Sequence, residues 1–337
     1  MTQTSISKVY KHIFSILFLL THFTLYAQKI SSTREINSAA LNSIMEANRP
    51  YYRDGKVADY IPELGKMDPR ALAFAVVNED GKIISVGDVH HKFTMQSISK
   101  TIALMLAVME RGEQDVFDKM GYFGTDKAFN HFANLETMGK PLNPMMNAGA
   151  ILTTSLISGA ADSAFIQILN MVRYICHNPE ITYSESVFQS EKETGHRNRG
   201  MFYIMKNAGL ITGTEEQLDN YFRQCAIELT VEDLAKIGYF FANQCVRFDG
   251  DSRYKNAEIS KLIQSQMLIA GMYEFSGEHA RTVGLPSKSG VGGGIMVSIP
   301  YQAGIGTFSA PLDSHGNSLV GYHMILDLVQ EYNLGLF

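Results

Sequence analysis

Gln96-Ser97-Ile98-Ser99-Lys100 sets a serine three residues ahead of a lysine, at the head of an apolar run (Ile98, Ile102, Leu104, Met105, Ala107, Val108). Residues i and i+3 of a helix share one face, so hydroxyl and amine would stand side by side. A weak alcohol needs such a proton acceptor to attack an amide at neutral pH. The start of a helix also favours developing negative charge. Free lysine titrates near ~10.4, so Lys100 can act as a base only if desolvated or crowded by a second cation. Lys288, in Lys288-Ser289-Gly290, is the candidate for that cation.

The tetrapeptide alone decides little. Ser5-Ile6-Ser7-Lys8 repeats it letter for letter, and Ser252-Arg253-Tyr254-Lys255 is a third S-x-x-K in a polar stretch. Context separates them, since Ser97 follows a strand-like segment and opens a helix of about Ser97 to Arg111. Upstream, Ala71 to Val77 and Lys82 to Val86 are apolar runs around Asn78-Glu79-Asp80-Gly81, whose Asp-Gly predicts a hairpin. A helix is expected before them, over Ile36 to Ala47. Downstream the pattern turns helical: Ala148 to Ser158, Ala161 to Ile175, Arg199 to Lys206, Glu215 to Cys225, Val231 to Asn243 and Ala257 to Met272. Thr214 before Glu215-Glu216-Gln217 predicts a capping box, and Thr230 before Val231-Glu232-Asp233 a weaker one. Strands return at Gly294 to Ile299 and Ala303 to Ser309, and Asn317 is read as the cap of a last helix, Ser318 to Tyr332. The sheet therefore draws on both chain ends, with a helical block inserted between its halves.

The 337 residues are 45% hydrophobic and 19% charged, with a net charge of −5. Nothing basic is clustered, which argues against a nucleic-acid partner. Residues 1–27 join Lys8 and Lys11 to the apolar run Ile13 to Ala27, too short to span a bilayer; they read as a signal peptide cleaved after Ala27. Residues 28–337 are then expected to form one exported, periplasmic catalytic domain with no membrane segment. Cys176, Cys225 and Cys245 read as free buried thiols rather than staples. No metal-ligand spacing occurs, and adjacent His90 and His91 would point to opposite faces of a strand. The glycine-rich Gly284 to Gly294 matches neither phosphate-loop pattern; its glycines are expected to let a strand edge approach a ligand closely.

Four segments occur in one order: Ser97-Ile98-Ser99-Lys100; Asn143-Pro144-Met145-Met146-Asn147-Ala148-Gly149-Ala150; Ser190-Glu191 with His196-Arg197-Asn198-Arg199; and Val283 to Gly294. Together they resemble the serine-dependent glutaminases, from about residue 36 to 337. The resemblance implies an α+β fold of the β-lactamase and DD-peptidase type, an antiparallel sheet flanked by helices with an inserted all-helical subdomain. It implies that Ser97 is the nucleophile and Lys100 its base. Asn147, Glu191 and Asn198 would bind the polar groups of L-glutamine. Tyr221 and Tyr273 would line the pocket, one of them relaying protons. The main-chain N–H groups of Ser97 and Val291 would hold the oxyanion. No cofactor is implied, and a homodimer or homotetramer is expected by analogy.

Read without the resemblance, Asn147 is a helix cap, Glu191 and Asn198 are solvated surface residues, and Tyr221 and Tyr273 are core aromatics. Two other functions fit the same fold: an exported β-lactamase or DD-peptidase type of acyl hydrolase, and a non-catalytic sensor that stays acylated. The Glu191–Asn198 pair suits a free amino acid's ammonium better than a cell-wall peptide. Phe123 to Asn130 departs from the family pattern, being shorter and without its Glu-Pro-Ser-Gly, so substrate access there is left open.

Overall fold

A computed structural model describes residues 35–136, 140–159 and 163–337. The expected signal segment lies outside them. Ser38–Phe337 forms one compact unit. Its centre is a five-stranded antiparallel sheet in the order Ile83–Gly87, Leu72–Val77, Ala303–Ser309, Gly294–Ile299, Ser287–Ser289. The expected hairpin closes in register, Val77 opposite Ile83, with Gly81 at φ +76, a conformation a glycine adopts at no steric cost. Leu72–Val77 is buried along its whole length because it is covered on both faces, which explains a run without alternation. It also pairs with Ala303–Ser309, so the first and last hairpins share one sheet.

One face carries helix Val231–Ala242. Strand glycines seat it closely: a Cβ on Gly304 would lie 2.0 Å from Tyr239 N, and one on Gly306 2.5 Å from Val231 O. The other face carries Ser38–Asn48 and Leu319–Tyr332, bridged by Asn48 Nδ2 donating to Asp327 Oδ2 at 2.7 Å. The intervening block is helical, as the periodicity predicts.

The capping expectations are reversed. Thr230 forms the full box: its Oγ1 accepts from Asp233 N, and Thr230 N donates to an Asp233 carboxylate oxygen, both at 3.3 Å. Thr214 does not cap. Glu215 takes that position without a side-chain bond, and Thr214 contacts Glu216 instead. Asn317 also yields its expected place, since Ser318 is the cap of the last helix and accepts from Gly321 N at 3.3 Å. Helix Glu185–Thr194, which carries Glu191, was not foreseen: its mixed polar sequence hides a short buried face of Val187, Phe188, Ser190 and Glu191.

A small sheet aims the nucleophile. Phe93–Thr94 pairs with Ile227–Leu229, which pairs with Thr182–Tyr183, and Met95 N extends the ladder to Ile227 O at 2.8 Å. The chain then turns sharply through the 3-10 segment Gln96–Ile98, with Gln96 at φ +48, and only then enters helix Ser99–Arg111. Ser97 therefore stands on a strained turn just ahead of the α-helix rather than in its first turn.

Candidate active site

All eight residues singled out by sequence are buried in the structure: Ser97, Lys100, Asn147, Glu191, Asn198, Tyr221, Tyr273 and Val291. They reach one region from separate elements. Ser97 and Lys100 come from the turn and helix just described. Asn147 is the first residue of Asn147–Leu156, Glu191 sits late in Glu185–Thr194, Asn198 early in His196–Asn207, and Tyr221 midway along Glu216–Cys225. Tyr273 opens the 3-10 turn Tyr273–Phe275 at φ +58, and Val291 lies in the glycine turn between the last two sheet strands.

Lys100 is enclosed. Its Nζ donates to Asn147 Oδ1 at 2.7 Å and to Met145 O at 3.0 Å. Burial pulls its pKa down to about 8, against smaller upward pulls from Cys225 and Glu191. A neutral amine has two N–H donors and one lone pair. Two acceptors take both donors, so the lone pair points in the remaining direction. The ring of Phe129 lies 5.8 Å from Nζ and 4.6 Å from the Tyr273 ring. The loop whose shortness left access open thus closes over the lysine, held by Asn147 N donating to Phe129 O at 3.0 Å.

Asn147 is not the cap its bland reading predicts; Met146 holds that position. The Asn147 amide instead bridges, accepting from Lys100 and donating Nδ2 to Asn198 Oδ1 at 3.0 Å. Glu191 is not a surface residue either. Desolvation lifts its pKa to about 8, with Lys100 pulling the other way, and its Oε2 is buried with no hydrogen-bond partner among the described residues. A buried carboxylate oxygen left unpaired is costly unless a cation arrives to meet it.

Tyr273 donates to Ser289 O at 3.1 Å and hydrogen-bonds Ser97, while burial holds its phenol well above the ordinary range. With its proton committed to Ser289, the Tyr273 oxygen is the acceptor for the Ser97 hydroxyl. Ser97 thus engages Tyr273, while Lys100 engages Met145 and Asn147. Catalytic hydrogen bonds often tighten only when substrate binds.

Lys288 has no exposed surface. Its Nζ donates to Ser289 O at 2.6 Å and Gly271 O at 3.1 Å, and lies 4.7 Å from the Tyr273 ring centre. Burial drives its pKa well down, and Lys100 lowers it further. Lys100 thus opposes the charging of Lys288, whereas burial and not Lys288 is what lowers Lys100; a Lys288 held this far down is not the second cation expected from the sequence.

The glycine segment packs against the nucleophile's own strand. A Cβ on Gly290 would lie 2.5 Å from Met95 O, and one on Gly292 2.5 Å from Thr94 O. These glycines let the turn press against the backbone leading to Ser97. That contact sets Val291 beside the nucleophile turn. A Cβ on Gly316 would touch both Tyr273 and Val291 at 3.6 and 3.7 Å, so the two belong to one wall.

Sequence reasoning missed Tyr60. It keeps 55% of its surface open, yet desolvation dominates at its hydroxyl and raises its pKa strongly, with Tyr273 and Glu191 as the nearest charge influences. Its hydroxyl therefore lies within electrostatic reach of Tyr273 and Glu191 while much of the residue faces solvent. Asp59-Tyr60-Ile61-Pro62 carries no local signal of this, because the placement is made by tertiary packing. Cys176, Cys225 and Cys245 are free and buried, as expected. No group of three or more potential metal ligands occurs among the described residues.

A glutaminase family model matches residues 55–337. Glutaminase 2 of Clostridium perfringens is 45% identical over 301 residues, covering 88% of this chain and 99% of its own. The glutaminase of Clostridium tetani is 46% identical over 301 residues, covering 88% and 98%. Among solved structures, a probable glutaminase from Bacillus subtilis complexed with 6-diazo-5-oxo-L-norleucine superposes with a TM-score of 0.82 at 36% identity, covering 90% of this chain and 98% of that one. A covalent complex of the Bacillus subtilis glutaminase YbgJ with 5-oxo-L-norleucine, formed by reaction with the same diazo compound, gives 0.80 at 34% identity, covering 89% and 99%.

Proposed function

The chain belongs to the glutaminase family and is an enzyme of that kind, and on that premise we propose that Ser97 attacks the side-chain amide of L-glutamine with Lys100 as its base. The observation that carries this reading is the unpaired Glu191 carboxylate buried in the same site as a desolvated lysine. A free amino acid brings an ammonium to Glu191 and polar groups to Asn147 and Asn198. In a free amino acid that ammonium sits at a fixed distance from the amide to be cleaved, which suits the Glu191–Asn198 pair better than a cell-wall peptide does.

The neutral Lys100 amine accepts the Ser97 proton as the Ser97 Oγ–carbon bond forms. Main-chain N–H groups of Ser97 and Val291 hold the oxyanion, a contribution of about 3 kcal/mol per donor in comparable sites. As the carbon–nitrogen bond breaks, the leaving nitrogen takes the proton that Lys100 accepted, relayed through the Tyr273 hydroxyl, and departs as ammonia, leaving Lys100 neutral again. Water then attacks the γ-glutamyl ester, its proton returns to Ser97, and glutamate leaves. Tyr221 and Tyr60 close the pocket around the substrate.

Ammonia release from L-glutamine by the purified protein is the direct test, with labelling of Ser97 by 6-diazo-5-oxo-L-norleucine as a second readout. Steady release together with adduct mass on Ser97 is the expected result. A single burst without turnover would identify an acylated sensor, and an adduct elsewhere would remove the serine mechanism. Glu191→Gln keeps the shape and removes the charge that meets the ammonium. KM is expected to rise about 10- to 100-fold, the worth of one charge-assisted hydrogen bond, with a smaller change in kcat. An unchanged KM would show that Glu191 does not bind the ammonium.

A further inference from the structure

Three segments deliver side chains of the site: the turn and helix with Ser97 and Lys100, helix Asn147–Leu156, and helix Glu216–Cys225 with Tyr221. One side chain that the mechanism does not use ties all three together. Gln224 has no exposed surface. Its Nε2 donates to Ser99 Oγ at 3.2 Å, and its Oε1 shares the Thr154 Oγ1 proton with Ala150 O, each at 2.9 Å. Ser99, between Ser97 and Lys100 in the chain, donates its own hydroxyl to Gln96 O at 2.8 Å. Gln96 is the residue in the left-handed conformation, which a side chain keeps only when its surroundings insist on it.

A hydroxyl has one proton to give. With a Gln224 N–H directed at Ser99 Oγ, that oxygen is an acceptor on one side and its proton is left for the Gln96 carbonyl. We infer that Gln224 is a positioning residue for the reaction: it fixes the Ser99 hydroxyl, and through it the strained turn that presents the Ser97 oxygen and main-chain N–H. Its other end anchors that turn to the helix beginning at Asn147. Tyr221, three residues earlier, shares its helix face. An amide buried this deeply is tolerated only for its hydrogen bonds, since an apolar residue would fill the space without a desolvation cost. The inference rests on the Ser97 reading and adds a residue that touches neither substrate nor reacting atoms.

The test is steady-state glutamine hydrolysis by Gln224→Met, Ser99→Ala and the double variant, each checked for a cooperative thermal melt. Gln224→Met is expected to lower kcat by about 10- to 100-fold, the effect of a small misplacement of a reacting group. KM is expected to stay within about twofold, because Glu191 and Asn198 lie on helices this network does not hold and Asn147 keeps its own bonds to Lys100 and Asn198. Ser99→Ala should lose a similar factor, and the double variant no more than the worse single, because both act through one chain of bonds. A folded Gln224→Met with kcat near that of the parent, a loss expressed in KM, or losses that multiply would each overturn the inference. If Gln224→Met does not fold, Ser99→Ala decides by the same kcat and KM criteria. An inactive parent protein would sink this inference and the proposed function together; an active parent with unimpaired variants sinks this inference alone.

Discussion

Ser97→Ala is expected to cut ammonia release by on the order of 10⁴-fold or more, while the protein folds as before. The nucleophile has no stand-in, because a residual rate would have to come from water attacking in a site shaped for an ester intermediate. The change removes one oxygen from a nearly buried position, and the turn itself is held by Ser99, Met95 and Gln96 rather than by the Ser97 hydroxyl. Tyr273 keeps its bond to Ser289, so its ring should not move. Ser252→Ala, in the exposed loop that carries another S-x-x-K, provides the control and should leave turnover nearly intact. Undiminished turnover in Ser97→Ala, measured with coupled detection of glutamate, would remove the mechanism.

Lys100→Met has the second largest expected effect, about 10³-fold in kcat, within the usual worth of general base catalysis. Methionine is unbranched, one atom shorter than lysine and suited to an enclosed site, so the loss should not be one of folding. The pH profile separates base from scaffold. Lys100 accepts a proton only when neutral, so with a pKa of about 8 the parent's kcat/KM rises as pH climbs through that value. Glu191 must be ionised to meet an ammonium, and its pKa is also about 8 in the empty site. Both requirements fail as pH falls, so below pH 8 the rate should drop more than tenfold per pH unit, with apparent constants that belong to the pair. Glu191→Gln should reduce that limb to a single proton, and Lys100→Met should abolish the part that belongs to the lysine. A parent profile flat from pH 6 to 9 would show that neither group titrates in the free enzyme.

The sequence made the sheet legible because its strands are continuous apolar runs bounded by turn residues, and most of the helices legible because their apolar spacing is regular. Thr214 and Thr230 show where local signals stop. Both precede acidic residues, but Thr230 is an extended cap whose side chain turns back, whereas the other helix starts from Glu215, itself already helical. The site residues were named by their company in four ordered motifs; their chemistry was not visible in the letters. Nothing local says that Glu191 is buried and half unpaired, because its helix is polar and its burial is imposed by neighbours distant in sequence. Tyr60 and Gln224 were missed for the same reason. The strain at Gln96 is equally silent, since glutamine is an unexpected residue for that conformation.

Leu72–Val77 finds its neighbour Ala303–Ser309 more than 200 residues later in the chain. During synthesis at ~5–20 residues per second, the first hairpin must wait roughly 10–45 s before that neighbour emerges from the ribosome. Through that interval one apolar edge has nothing to pair with and is open to other nascent chains. Yield in a cell should therefore depend on translation speed and on holdase chaperones more than on the stability of the finished enzyme.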